Sequence, residues 1–305
     1  MVRSPSPVVS LMLAGACWGS SYAVVGFVDD SNPFLITGSR FAVFGLVALA
    51  LLRASGGLTG IPWSTALGHA LGGSVGLYLA EVVAISLAGA GLTIAVVGSI
   101  PVVYAVVGAR RDGSDLRPLV PSILLTAMAH LVIHRDAWPV AGRAPSDVFI
   151  GLAIAAAGVA GFCVYALHST DHLRARPDIG PQRWASAVGV ASGVCSIPLL
   201  VIGLLGGSFG DPGRLAMAAL FLAVVPSWLA TSLWNRAVVG VPRALAGQLL
   251  VFEPLSAFVF VHLVSGSLPS VTLVSGELLL LAGALLAVRS VKQPELAHSR
   301  LPRRR

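Results

Sequence analysis

Charged residues are scarce in this sequence. Only 11% of its 305 residues are Asp, Glu, Lys or Arg, whereas 56% are hydrophobic and the mean hydropathy is +0.86. This composition excludes a soluble fold of this length. Apolar stretches of about 17–24 residues recur along the whole chain, and no segment is long and polar enough to form a soluble domain. The composition therefore predicts a polytopic membrane protein whose main partner is the lipid bilayer.

The chain also lacks the residues of several kinds of site. The basic residues behind the net charge of +7 are spread over loops and the tail, so we expect no nucleic-acid partner. The three cysteines lie in apolar runs, and no disulfide is predicted. Neither a phosphate-binding glycine loop nor a clustered set of carboxylates and histidines is present, so we expect no cofactor and no enzyme activity. The histidine pairs His130/His134 and His168/His172 have no accompanying Glu and lie on opposite sides of the membrane, so no metal site is predicted.

The apolar pattern divides the chain into ten predicted transmembrane helices, arranged as two halves of five. The longest break between them, residues 135–146, is rich in proline and reads as the linker between the halves. We assign residues 1–140 to the first repeat, 141–290 to the second and 291–305 to a basic cytoplasmic tail. The predicted spans are 8–28, 33–52, 66–87, 92–109, 118–134, 147–167, 184–205, 215–234, 244–264 and 269–288.

The placement of arginine and lysine predicts the orientation. If the N-terminus is cytoplasmic, sixteen of these residues fall in cytoplasmic segments, and only Arg135, Arg143 and Arg214 fall on the other side. We therefore expect a multi-pass protein of a bacterial plasma membrane with both termini in the cytoplasm. Because each half has an odd number of spans, the second half enters the membrane from the opposite side. The fold is then all-α, with two inverted five-helix repeats.

Two proline-containing spans form an internal repeat. Segments 84–101 and 237–254 each read as the end of an apolar helix, a turn rich in Gly and Ala, and a helix broken by Pro101 or Pro254. A proline lacks the backbone donor and leaves a carbonyl one turn earlier without its usual partner. Repeated broken helices are typical of secondary transporters, which bind substrate at the break.

Four ionisable residues lie well inside predicted spans, where charge is costly and usually functional. At about 1.5 Å per residue, Arg40, Glu81 and Glu277 fall about 10–12 Å below the outer surface. Glu253 lies near the midplane and directly precedes Pro254. For Glu253 we favour a substrate-amine or proton site. The alternative is a carboxylate bonded to freed backbone or to a neighbouring hydroxyl.

The other buried charges leave more than one interpretation open. For Arg40 and Glu81 we favour a structural ion pair, since they share a depth; the alternative is that Arg40 holds a substrate carboxylate. Glu277 either takes part in coupling or makes an internal hydrogen bond or helix contact. Three aromatic residues lie too deep for an interfacial belt and either line an apolar pocket or pack in the core. They are Trp18, Tyr22 and Tyr104.

Five short motifs in order and spacing resemble the EamA-type carriers of the drug/metabolite transporter superfamily, over roughly residues 8–289. The resemblance implies a carrier that exports, or in some members imports, amino acids, drugs or other metabolites. The motifs are Cys-Trp-Gly-Ser-Ser at 17–21, Arg40-Phe41, Ser-Ile-Pro at 99–101, Phe-Glu-Pro at 252–254, and the segment 278–289 with Gly283.

The chain departs from the family at four places. The family often has Gly-Glu just after the fourth and ninth helices, where this chain has Gly108-Ala109-Arg110 and Gly266-Ser267. Glu81 and Glu277 are also not expected from the family. These departures affect the substrate and the coupling rather than the fold.

The sequence as a whole predicts a secondary transporter that works by alternating access. We favour an exporter of a small metabolite, amino acid or drug-like molecule, either proton-linked or facilitative. The alternatives are an uptake carrier or facilitative exchanger of the same fold and, from another class, a membrane-embedded sensor or scaffold, for which the loops are short. The residues predicted to bind substrate or couple transport are Trp18, Tyr22, Arg40, Glu81, Pro101, Tyr104, Glu253, Pro254 and Glu277.

Overall fold

The computed structural model describes residues 5–25, 27–28, 31–137, 143–266 and 268–291, and every regular element among them is helical. Eight helical segments are long and apolar enough to cross a membrane, and a shorter apolar helix covers Arg117–Ile133. The predicted all-helical membrane fold is therefore confirmed. The α-helices are α1 (Pro7–Val25), α2 (Pro33–Ala54), α3 (Trp63–His69), α4 (Val75–Ala88), α5 (Ala90–Val97), α6 (Ile100–Asp112), α7 (Val120–Ala137), α8 (Pro145–Ala175), α9 (Pro181–Leu205), α10 (Pro212–Leu222), α11 (Ala230–Val238), α12 (Arg243–Leu249), α13 (Phe252–Ser265) and α14 (Val271–Val291).

The ten predicted spans correspond to ten helical stretches with small shifts at their ends. The main difference in length is at α8, which has 31 residues and continues to Ala175, beyond its predicted end at residue 167. The two ends of the predicted linker are helical, since α7 ends at Ala137 and α8 begins at Pro145. Residues 138–142 of that linker and residues 292–305 of the predicted basic tail lie outside the described residues.

Both predicted helix breaks are present, about one turn before each proline. The first separates α5 from α6 at Gly98–Ser99, ahead of Pro101, and the second separates α12 from α13 at residues 250–251, ahead of Pro254. In a regular helix the Leu250 carbonyl would accept the N–H of residue 254, but Pro254 has no N–H. The carbonyl instead accepts the N–H of Glu253 at 3.0 Å. The freed backbone group is thus satisfied locally, as a membrane interior requires.

Two π-helical turns interrupt other spans and were not predicted. One, Ala70–Ser74, joins α3 to α4, and the other, Ala223–Leu229, joins α10 to α11. The second contains Pro226, which cannot donate a backbone hydrogen bond. Ser227 follows it, and its hydroxyl donates to the Leu222 carbonyl five residues earlier at 2.7 Å. Such turns widen a helix and are frequent at functional sites.

Glycines set the closest helix contacts, because small residues let helix backbones approach in a membrane. A Cβ on Gly45 of α2 would lie 2.6 Å from the Cα of Gly193 on α9. The two broken helices also pack on each other, and a Cβ on Gly247 would lie 2.6 Å from the Ala105 backbone nitrogen. These contacts leave space at the centre of the bundle, between α1, α2, α4, α8 and the second π turn.

Candidate functional site

A cavity lies at the centre of the bundle, with an envelope of about 560 Å³ that includes its open mouth. Its walls combine three ionisable side chains with a largely aromatic surface. Both π turns contribute to it, since Gly73 and Ser74 come from the first and Pro226 and Ser227 from the second. The lining residues are Trp18, Ser21, Arg40, Phe41, Phe44, Gly73, Ser74, Leu77, Tyr78, Glu81, Phe162, Tyr165, Pro226, Ser227, Thr231 and Glu253.

Arg40 is the cation of this cavity and is only 6% exposed. Its Nε donates to the Ser227 hydroxyl at 3.0 Å. Its guanidinium carbon lies 4.0 Å from the centre of the Tyr78 ring, a distance at which a cation–π interaction is favourable. The ring thus holds the guanidinium by its face, which leaves donors in the plane of the guanidinium for another partner.

The two carboxylates of the cavity share one tyrosine. The Tyr22 hydroxyl donates to Glu81 Oε1 at 3.2 Å, and Tyr22 also interacts with Glu253. Glu81 and Glu253 interact electrostatically with each other and with Arg40. A structural ion pair between Arg40 and Glu81 was the favoured prediction. No salt bridge within 4.0 Å joins these two described side chains. Both residues nevertheless line the same cavity.

A second, smaller space of about 270 Å³ lies between the two helix breaks. Glu253 lines this space as well as the central cavity, so its carboxylate stands between the two. Pro101 and Pro254, the prolines of the two predicted broken helices, both line this space. The lining residues are Tyr22, Ile94, Val97, Gly98, Ile100, Pro101, Leu250, Glu253 and Pro254.

An aromatic layer lies on one side of the central cavity. The Trp18 ring packs 5.6 Å from the Trp234 ring, and Trp234 packs edge-on to Tyr104 at 5.8 Å. The Tyr104 hydroxyl is 3.2 Å from the Thr170 hydroxyl, and Tyr104 is fully buried. Of the three deep aromatic residues, Trp18 therefore lines the cavity and Tyr22 the space at the breaks, whereas Tyr104 packs in the core.

Beyond this layer, an ion-pair network joins three helix ends. Arg243, at the start of α12, binds the carboxylates of Asp112 at the end of α6 and Asp171 near the end of α8. Its backbone N–H also donates to Asp112 Oδ2 at 3.0 Å. Arg111 pairs with Asp171 at 2.9 Å, and Arg174 lies 3.5 Å from Asp112. Sequence reasoning used these charges only to set the topology, so it missed the network.

Glu277 lies apart from the other predicted residues. It is on α14, which packs against α7, and it lines neither of the two central spaces. One of its carboxylate oxygens is buried with no hydrogen-bond partner among the described residues. Its role in coupling stays a prediction. The sequence also gave no role to Ser227 or to Thr231, although Pro226 inside an apolar run was an available signal of a break.

Comparisons with known proteins support the membrane fold. No protein-family model matches the chain. The inner membrane protein YtfF of Escherichia coli (strain K12) is 27% identical over 323 aligned positions, which cover 96% of this chain and 98% of YtfF. A solved crystal structure superposes with a TM-score of 0.76 at 22% identity and covers 93% of this chain and 99% of the other, a likeness that shows the fold alone. The chain is therefore a multi-pass helical membrane protein and a distant homologue of an inner membrane protein.

Proposed function

We propose that this protein is a secondary transporter that moves a small molecule by alternating access. The observation that carries the proposal is the central cavity, in which one arginine and two glutamates lie within an aromatic surface, inside membrane-spanning helices. Ionisable groups at such depth are costly unless they have a use. The neighbouring helix breaks provide backbone that can rearrange between states.

Helix packing supports the inverted-repeat part of the proposal. Suppose that the ten helical stretches are numbered in order and that each stretch of the first half is exchanged with the one five places later. Every major packed pair of stretches is then exchanged with another packed pair or with itself. The second stretch packs on the seventh, the fourth on the ninth and the fifth on the tenth, each pair being its own image. The third-to-sixth pair maps onto the first-to-eighth, and the fourth-to-sixth onto the first-to-ninth. The π turns occupy matching stretches too, the third and the eighth.

The lining residues favour a substrate that carries both charges. Arg40 offers its remaining donors to a carboxylate, while Glu81 and Glu253 suit an amine. Trp18, Phe162 and the other rings of the wall suit an apolar or aromatic side group. A small amino acid or a similar amphoteric metabolite fits this combination, and we propose export from the cytoplasm as the direction.

Glu253 is the residue we propose for proton coupling, because it borders both the cavity and the space at the breaks. A carboxylate at the junction of two compartments can exchange its proton with each in turn. Glu253 shares the central cavity with Glu81 and the space at the breaks with Tyr22, whose hydroxyl donates to Glu81, so we propose that the two carboxylates titrate as a pair. Substrate binding beside them would then change which state holds the proton.

The test of transport and coupling is Glu253→Gln in proteoliposomes with an imposed pH gradient. The amide keeps the shape and hydrogen-bonding capacity but cannot release a proton. We expect pH-driven accumulation of a candidate amino acid to be lost while counterflow exchange, which moves no net proton, partly survives. An unchanged pH dependence in the variant would make Glu253 structural. Wild-type transport that ignores the gradient would rule out coupling at every carboxylate.

A further inference from the structure

A third cavity, outside the central site, opens on the side of the bundle between α8 and the span that contains α3 and the first π turn. It measures about 850 Å³ and is mostly apolar. Three of its lining residues are glycines, which leave a channel between two helices that otherwise carry exposed leucine and valine side chains. We call it the lateral groove. Its lining residues are Thr65, Gly68, His69, Gly72, Ala160, Gly161, Val164, Tyr165 and His168.

The lateral groove faces hydrocarbon. Both of its walls belong to helices long and apolar enough to cross the membrane, Trp63–Ala88 and Pro145–Ala175. The side chains at its rim are apolar and exposed, with Leu71 at 60% and Val164 at 58%. At about 1.5 Å per residue, the groove residues from Thr65 to Gly72 lie about 3 to 14 Å from the start of their span at Trp63, which is the depth of one leaflet.

One end of the lateral groove is polar, and the other is not. Thr65 is two residues from the start of Trp63–Ala88 and His168 is seven residues from the end of Pro145–Ala175, whereas Gly72 and Ala160 lie deeper. His69 is 93% buried at the same level, and its Nδ1 has no hydrogen-bond partner among the described residues, although the ring packs against Tyr165 at 5.2 Å and Trp184 at 5.5 Å. The groove is thus polar at one end and apolar at the deeper end, in the same order as the headgroup and acyl chains of a phospholipid.

A single ring separates the lateral groove from the central cavity. Tyr165 lines both spaces. Its ring is fitted against Gly73 of the π turn so closely that a Cβ at position 73 would overlap ring atoms. Whatever occupies the groove therefore packs on the outer side of a wall of the central cavity.

We propose that the lateral groove is a binding site for a phospholipid, with an acyl chain against Gly68, Gly72 and Tyr165 and the headgroup at the end formed by Thr65 and His168. The apolar walls and their opening to hydrocarbon favour a bilayer component over a water-soluble ligand. In this position the acyl chain packs on the outer side of the Tyr165 ring, so the lipid forms part of the wall of the candidate site.

The test uses the full-length protein in bilayers that contain a phosphatidylethanolamine with a diazirine on one acyl chain. After photolysis, mass spectrometry maps the label on peptides. We expect enrichment on residues 160–168 and 65–72 over other lipid-facing positions of α8. Label spread evenly around the exposed helix faces would overturn the proposal.

Gly68→Leu is the decisive variant. No atom lies within 4 Å of a Cβ at position 68, so the new side chain grows into the lateral groove without strain. The leucine side chain takes the space of the acyl chain, so the excess of label on residues 160–168 and 65–72 over other lipid-facing positions should be lost. Ala153→Leu places the same side chain at an exposed position of α8 and should leave the labelling unchanged. Gly72→Leu, whose Cβ would lie 3.8 Å from the Gly161 carbonyl, provides a second filling variant. Labelling that persists in both folded filling variants would refute the site.

Discussion

The ion-pair network at the ends of α6, α8 and α12 should hold one end of the candidate site closed. Arg243 joins the first broken helix to the second through Asp112 and also reaches Asp171 on α8. If opening at this end separates the two broken helices from each other and from α8, as alternating access at a site between them requires, these bonds belong to the closed state only. We predict that Arg243→Gln, which removes the charge and keeps a polar side chain, shifts the protein towards a state open at this end.

The expected change in the open population follows from how deeply the ion pairs of Arg243 are buried. The Arg243 side chain is 8% exposed and that of Asp112 17%, so their bond is largely desolvated. Breaking a buried pair costs about 3–5 kcal/mol, which we reduce to about 2–3 kcal/mol because Arg174 remains near Asp112. Asp171 is 43% exposed and keeps Arg111, so its share is about 0–1 kcal/mol. If opening breaks the Asp112 bond, the open population rises at least about thirtyfold in the variant.

The assay is the accessibility of a cysteine at Thr231, a residue of the cavity wall, in a protein whose three native cysteines are replaced by alanine. A membrane-impermeant maleimide is added to one face of oriented proteoliposomes. We expect labelling from the network's face to rise about thirtyfold in Arg243→Gln, since the rate follows the open population when closing is fast. Arg111→Gln, which breaks only an exposed pair, is the matched control and should change little. A stability loss without any change in accessibility would refute the gating role.

Three further predictions concern packing and charge. Arg40→Leu should destabilise the detergent-solubilised protein by about 2–3 kcal/mol, because it removes the charged hydrogen bond to Ser227 and the contact with the Tyr78 ring and leaves the two carboxylates of the cavity without a cation. Arg40→Leu with Glu81→Leu should recover part of this loss, and an equal or larger loss in the double variant would refute electrostatic coupling between the two residues. Gly45→Ala should cost about 1–2 kcal/mol after its gain in helix propensity, since the Cβ meets Gly193, whereas Gly68→Ala meets nothing and should be neutral or stabilising in the same thermal melts. At Asp211, the backbone N–H groups of Arg214 and Gly213 hold the pKa of the carboxylate below its usual range. The Asp211 cap on α10 therefore stabilises the fold at pH values above the unfolded-state pKa of this carboxylate. This stabilisation is lost as pH falls through the folded-state pKa. The stability difference between the wild type and Asp211→Ala should therefore narrow in acid.

The helix breaks were predictable because their cause is local. A proline removes its own N–H and crowds the carbonyl four residues earlier, so the effect appears one turn before it. Pro101 and Pro254 produce breaks at that distance, and the alignment of the two segments needed no tertiary information. The spans were predictable for a similar reason, because the thickness of the bilayer fixes the length of an apolar run.

The partners of the buried charges were not predictable in the same way. Arg40 and Glu81 line the same cavity, but the predicted depth of a residue does not determine which atoms meet. Ser227 bonds Arg40 from 187 residues away along the chain, and Tyr22 bonds Glu81 from 59 residues away. These two hydroxyls occupy positions that a direct ion pair would have used. Only the packing of α1, α2, α4 and the second π turn brings them there.

The four irregular turns of the described spans all border a cavity, and this coincidence has a physical reason. Non-helical backbone is tolerated at membrane depth only where it is buried in protein or lines a cavity. The π turns supply Gly73, Ser74, Pro226 and Ser227 to the central cavity, and the breaks supply Gly98 and Leu250 to the smaller space beside it. Turns that arose from packing faults alone would have no reason to gather around one pair of carboxylates. Their position is therefore the one that the proposed coupling at Glu253 requires, since backbone able to rearrange borders both the central cavity and the space at the breaks.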